Sequence, residues 1–156
     1  MKEEKRLLEE QRLLEMSSFE REYSAYGLIA GIDEAGRGPL AGPVVAACCI
    51  LPENEFFYYL SDSKKVTPRR RDILFDEIQE RAVAFGIGIA DHNVIDEVNI
   101  LNATYKAMQA AVKDMKKDPG MLLVDAVTIP EVLIPQVPIV HGDARSVSIA
   151  LSLIHI

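Results

Sequence analysis

An apolar run from Leu28 to Ile32 that ends on two adjacent acids, Asp33 and Glu34, constrains this chain more than any other feature. Its length and composition predict a buried strand over about residues 28–33. A loop with three glycines and two prolines follows, from Gly36 to Pro43. Burying one carboxylate without a partner is costly, and burying two neighbours costs more. Something cationic is therefore expected beside them, either a metal ion or an arginine. In a regular strand Asp33 and Glu34 face opposite ways. Ala35-Gly36 offers a bend that would turn both toward one site. Arg37, held between Gly36 and Gly38, is placed to approach an anionic substrate with neighbouring backbone N–H groups exposed.

Strands and helices follow one another along the rest of the chain. Val44 to Leu51 reads as a second strand. Thr67 as N-cap and Pro68 at the first helical position predict a helix to about Val83. Arg69, Arg70 and Arg71 in its first turn oppose the helix dipole. That leaves two readings open, a solvated helix end or a basic surface with a use. Ala84 to Ala90 predicts a strand, and a long helix is expected from about Asn93 to Met115, with a break near Asn99. Asp118-Pro119-Gly120 stops it. Met121 to Asp125 is another buried strand ending on an acid, and a short strand is expected near Ile139. His141 to Ala150 reads as a turn that opens a helix. His92 and His141 are read as turn residues without a catalytic role.

Ahead of this lies a charged segment, residues 2 to about 24, with Leu7, Leu8, Leu13 and Leu14 at helix-compatible spacing. It predicts a solvated amphipathic helix, and its periodicity is too short for a coiled coil. The 156 residues, 49% hydrophobic and 26% charged, suit one α/β domain. The longest apolar run, Val44 to Leu51, is far too short to span a membrane, and no signal peptide opens the chain. A cytoplasmic location is the expectation. Cys48 and Cys49 are adjacent in a strand, suit neither zinc nor a disulfide, and read as small hydrophobic residues. The net charge of −7 argues against a broad nucleic-acid-coating surface but not against a nuclease, because a metal site accounts for several of the acids.

Asp33/Glu34 and Asp125 each terminate an apolar strand, and Asp143 lies in a strand-to-helix turn. Ligands in open α/β sheets gather at the carboxyl ends of strands. Parallel, adjacent strands would make Asp33 and Asp125 converge. Carboxylates without cysteine or a well-placed histidine suit Mg²⁺ or Mn²⁺ rather than zinc. A pair of such ions activates water and stabilises the leaving oxygen of a phosphodiester. Taken singly, Asp143 also reads as a helix N-cap, and Asp125 as a strand end at the surface. Gly36-Arg37-Gly38 lacks the third glycine of a dinucleotide fingerprint.

The run Asp33-Glu34-Ala35-Gly36-Arg37-Gly38-Pro39-Leu40-Ala41-Gly42-Pro43-Val44-Val45-Ala46-Ala47 resembles the signature of bacterial ribonuclease HII, a type 2 ribonuclease H. Asp62-Ser63-Lys64-Lys65 before a helix, Ile100 to Met108, and Gly142-Asp143-Ala144-Arg145-Ser146 are similar to further landmarks of that family. The resemblance implies an α/β, ribonuclease H-like mixed sheet flanked by helices, its first two or three strands antiparallel. It implies an endonuclease that cuts RNA in RNA–DNA hybrids, including ribonucleotides embedded in duplex DNA, with Mn²⁺ or Mg²⁺ as cofactor. Asp33, Glu34, Asp125 and Asp143 would then be the metal-binding and catalytic carboxylates. Gly36, Arg37 and Gly38 would sense the ribose 2′-hydroxyl, and Lys64 and Lys65 would contact phosphates. No obligate protein partner is implied. The alternative is a catalytically incompetent nucleic-acid-binding fragment with the same site.

Residues 1–26 are expected to form part of a helical N-terminal extension and residues 27–150 the catalytic domain. The resemblance stops near Ala150, before a substrate-contacting tyrosine of the family. Leu151-Ser152-Leu153-Ile154-His155-Ile156 is also what a transposon-end sequencing adapter encodes. The expectation is thus that residues 151–156 are a foreign tail and that the chain as it stands is truncated and inactive.

Overall fold

The computed structural model describes residues 2–36, 42–53, 55–58 and 66–154. Its centre is the strand read from the acidic pair, β1 (Ile29–Ala35). β2 (Val44–Ile50) pairs antiparallel with it, and β3 (Ala84–Ala90) pairs antiparallel with β2. On the other side β4 (Met121–Asp125) runs parallel to β1, and β5 (Gln136–Ile139) parallel to β4. The five-stranded mixed sheet has the order β3-β2-β1-β4-β5. Parallel pairing of β1 with β4, register Ile32 with Val124, is the arrangement that brings the two acid-terminated strands side by side.

Helices cover both faces. α3 (Pro68–Arg81) starts where Thr67 caps it, its hydroxyl oxygen accepting from the Arg70 N–H at 3.3 Å. α4 (His92–Asp114) is capped by Asp91, which accepts from the Val94 N–H at 3.1 Å. His92 therefore opens a helix rather than standing in a turn. The predicted break is present: Asn99 has φ 71° and its side chain accepts from the Asn102 N–H, restarting the helix. α4 packs on the face that carries Ala30 and Ile32 of β1, Ala46 and Cys48 of β2, and Leu122 and Val124 of β4.

The opposite face is covered by α6 (Val147–Ile154), with α3 beyond it, and a one-turn helix, α5 (Gly142–Arg145), precedes α6. Cys49, Leu74, Ile78, Leu151 and Ile154 form one cluster there, and Ile29, Leu123, Ile139 and Ile149 another. Adjacent Cys48 and Cys49 thus enter opposite layers, as strand alternation requires. The charged N-terminal segment forms α1 (Glu3–Met16) and α2 (Ser18–Glu22). It is not merely solvated, since Leu13 and Met16 are buried in the α3–α6 cluster. Leu7, Leu8 and Leu14 remain exposed. Among the described residues no helix is long and apolar enough to cross a membrane.

Candidate metal centre

β1 and β4 point their carboxyl ends the same way, so Asp33 and Asp125 emerge at one end of the sheet, one step beyond the last paired residues. The antiparallel β2 begins at that end, and β3 finishes there, Val44 opposite Ala90. Alternation puts Asp33 with Ile29 and Gly31, and Asp125 with Met121 and Leu123, on the face covered by α6. β1 stays regular through Ala35, and the chain bends only at Gly36, where φ is +89°. The Glu34 side chain nonetheless meets that of Asp33, with which it shares a hydrogen bond and a charge repulsion.

Asp33 is 3% exposed and Asp125 half-buried. Asp33 Oδ1 accepts from the Glu34 N–H at 2.7 Å. Burial first, then the negative charges of Asp125 and Glu34, push the Asp33 carboxyl up from 3.8 to about 9. Its buried position and its two acidic neighbours are what a cation would relieve. Asp125 is held by the backbone: its Oδ1 accepts from the Gly142 N–H at 2.7 Å. A Cβ at position 142 would lie 3.1 Å from that oxygen and 2.6 Å from Ile149 Cδ1, so a side chain here would crowd both. Asp143 follows within α5, half-buried. It is not the N-cap of that turn; His141, in the left-handed region at φ 56°, takes that position.

Asp33, Glu34 and Asp125 are thus coupled electrostatically, and the backbone bond from Gly142 to Asp125 brings the Asp143 turn to the same strand ends. Among the described residues, no three carboxylate, imidazole or thiol groups close into a finished metal cage. The donors are all oxygen, which suits a hard divalent cation. Gly36 lies at the base of the glycine loop, where a Cβ would collide with the Pro43 carbonyl. Arg37, Gly38, Lys64 and Lys65 lie outside the described residues. Gly142, and Glu20 through its bonds to Ser146 and Ser148, take part in the geometry although the sequence assigned neither a role of its own. Gly142 gave a signal in standing directly before Asp143; Glu20, in a charged helix, gave none.

A family model described as ribonuclease HII matches residues 30–154. The chain belongs to the ribonuclease HII family. All four acidic positions lie within the matched residues. The chain is similar to ribonuclease HII of Lachnoclostridium phytofermentans, 50% identical over 97% of this chain and 59% of that protein. It is also similar to that of Acetivibrio thermocellus, 54% identical over 92% and 57%. The chain thus spans less than two thirds of the length of these ribonuclease HII relatives. Among solved structures, ribonuclease H2 from Pyrococcus horikoshii aligns with a TM-score of 0.67 and 24% identity, over 81% of this chain and 69% of that one. Bst-RNase HIII in complex with Mn²⁺ aligns with a TM-score of 0.60 and 16% identity, over 82% and 50%. The fold is shared with both.

Proposed function

We propose that this chain carries the metal centre of an endonuclease that hydrolyses RNA in RNA–DNA hybrids, including single ribonucleotides embedded in duplex DNA. The observation that carries this reading is Asp33: a buried carboxyl at the end of the central strand, facing the negative charges of Asp125 and Glu34. Asp33, Glu34, Asp125 and Asp143 are the ligands in this reading, and Mn²⁺ or Mg²⁺ fits their oxygen donors. The Mn²⁺ bound by the ribonuclease HIII of like fold supports that choice. Divalent ions held there supply the charge stabilisation and water activation that phosphodiester hydrolysis needs.

The protein's own part is to hold the carboxylates in register. β1–β4 pairing fixes Asp33 and Asp125, and the Gly142 N–H fixes the Asp125 carboxylate. Gly36, Arg37 and Gly38 read the 2′-hydroxyl, the ribose group that separates RNA from DNA, and Lys64 and Lys65 contact phosphates. A cytoplasmic location and RNA–DNA hybrids or ribonucleotide-containing DNA duplexes as partners complete the proposal.

The test, on a full-length version of the protein, is a duplex with one embedded ribonucleotide beside an all-DNA duplex of the same sequence, each with Mg²⁺ or Mn²⁺. The expected result is a cut on the 5′ side of the ribonucleotide and an intact all-DNA duplex. Equal cutting of both would remove the ribose-sensing role. Binding without cutting would instead favour the non-catalytic nucleic-acid-binding alternative.

A further inference from the structure

α5 is a single turn, too short to be stable by itself. Its N-terminal end is tied to Asp125 through Gly142. Its other end is held by the N-terminal extension. Glu20 of α2 reaches across and its Oε2 accepts from the Ser146 hydroxyl at 2.7 Å and from the Ser148 N–H at 3.2 Å. Ser146 in turn receives the Ile149 N–H on its side-chain oxygen at 3.3 Å, capping α6, and donates its own N–H to the Gly142 carbonyl at 2.8 Å. One residue away, the Arg145 guanidinium lies 5.2 Å from the ring of Phe19, again from α2.

This attachment carries a cost. Glu20 Oε1 is buried with no hydrogen-bond partner among the described residues, and burial pushes the carboxyl above its usual range. That cost falls on α2, none of whose residues is fully buried, where it grips the α5–α6 turn.

We infer that Glu20 is a positioning residue: by bonding to Ser146 and Ser148 it fixes the α5–α6 junction and with it Asp143 at the metal centre. The inference rests on the function proposed above. Glu20 touches neither metal nor substrate; it acts through the turn. The required chemistry is an acceptor oxygen at that reach, not a negative charge. Glu20→Gln keeps the acceptor and loses the charge, whereas Glu20→Asp keeps the charge and withdraws it by one methylene.

The experiment measures Mn²⁺ affinity of the 156-residue chain by electron paramagnetic resonance, far below the melting temperature, for wild type, Glu20→Ala, Glu20→Asp, Glu20→Gln and Asp33→Asn. Hybrid cleavage is followed in parallel in a full-length version with the same substitutions. Displaced supports of metal ligands weaken affinity by roughly tenfold or more. Glu20→Ala and Glu20→Asp should show that loss with a lower kcat and an unchanged KM for the hybrid, and Glu20→Gln should stay close to wild type. If Glu20→Ala does not fold, the Asp and Gln pair decides. Wild-type affinity in Glu20→Asp, or a Glu20→Gln as weak as Glu20→Asp, would overturn the inference. If wild type binds no Mn²⁺, the functional reading falls and this inference with it. If only Asp33→Asn loses Mn²⁺, the functional reading stands and the role of Glu20 alone is refuted.

Discussion

At the scale of single residues, Asp33 sets stability and function against each other. The unfolded chain gives up this proton near 3.8, whereas the folded chain without metal keeps it to about 9. Between those values the folded state binds more protons, so its stability is greatest at acidic pH and is lost as pH rises across that window. Glu20, raised by burial, contributes with the same sign. Asp33→Asn removes the larger dependence. Thermal melts at about pH 8 without metal should place this variant several degrees above wild type, since each unit of pKa shift corresponds to about 1.4 kcal/mol. In a full-length version the same substitution should abolish metal-dependent cleavage. A melt at or below the wild-type value would contradict the account of Asp33 as a burdened group. The sequence made this residue legible because an acid ending a buried run has few bland explanations. Glu34 was legible as its acidic neighbour, and its side chain meets that of Asp33 at the end of β1.

At the scale of elements, α6 lies so close to β1 that their backbones meet. A Cβ on Gly31 would collide with the main chain of Ser148 and Ile149, while Cys49 Sγ donates to the Ser148 carbonyl at 3.2 Å. Gly31→Ala therefore must push α6 away from the sheet, and overpacking of this kind costs about 1–3 kcal/mol. Chemical denaturation should show that loss, and a Gly31→Ala variant as stable as wild type would mean that α6 does not pack there. Thr67→Ala offers a local contrast: loss of one N-cap at the start of α3 should cost about 1 kcal/mol and leave metal affinity unchanged. A drop in Mn²⁺ affinity in this variant would show that α3 also supports the site. These elements were legible to different degrees. Thr67-Pro68, the alternation of β3 and the break at Asn99 are local signals, and the sequence carries them whole. The anchoring of α1 by Leu13 and Met16 is not local, because it depends on a cluster assembled from α3 and α6. The grip of Glu20 on α6 spans more than a hundred residues of sequence and could not be read from its neighbours.

At the scale of the whole molecule, strand order is what turns scattered acids into a candidate centre. The short glycine loop favours the antiparallel β1–β2 pair, whereas β3 returns to β2 only after α3, and the parallel β1–β4 contact needs the long crossover through α4. The acid at the end of each apolar run hinted at that contact, and only the sheet establishes it. The central claim is that these converging carboxylates hold a divalent cation. Metal that binds at a protonated Asp33 must displace its proton. Calorimetric titration of Mn²⁺ at about pH 7.5, repeated in buffers of different ionisation enthalpy, counts that proton directly. The account predicts saturable binding with release of about one proton, and loss of both in Asp33→Asn. Absence of Mn²⁺ binding, or binding that releases no proton and survives in Asp33→Asn, would contradict it.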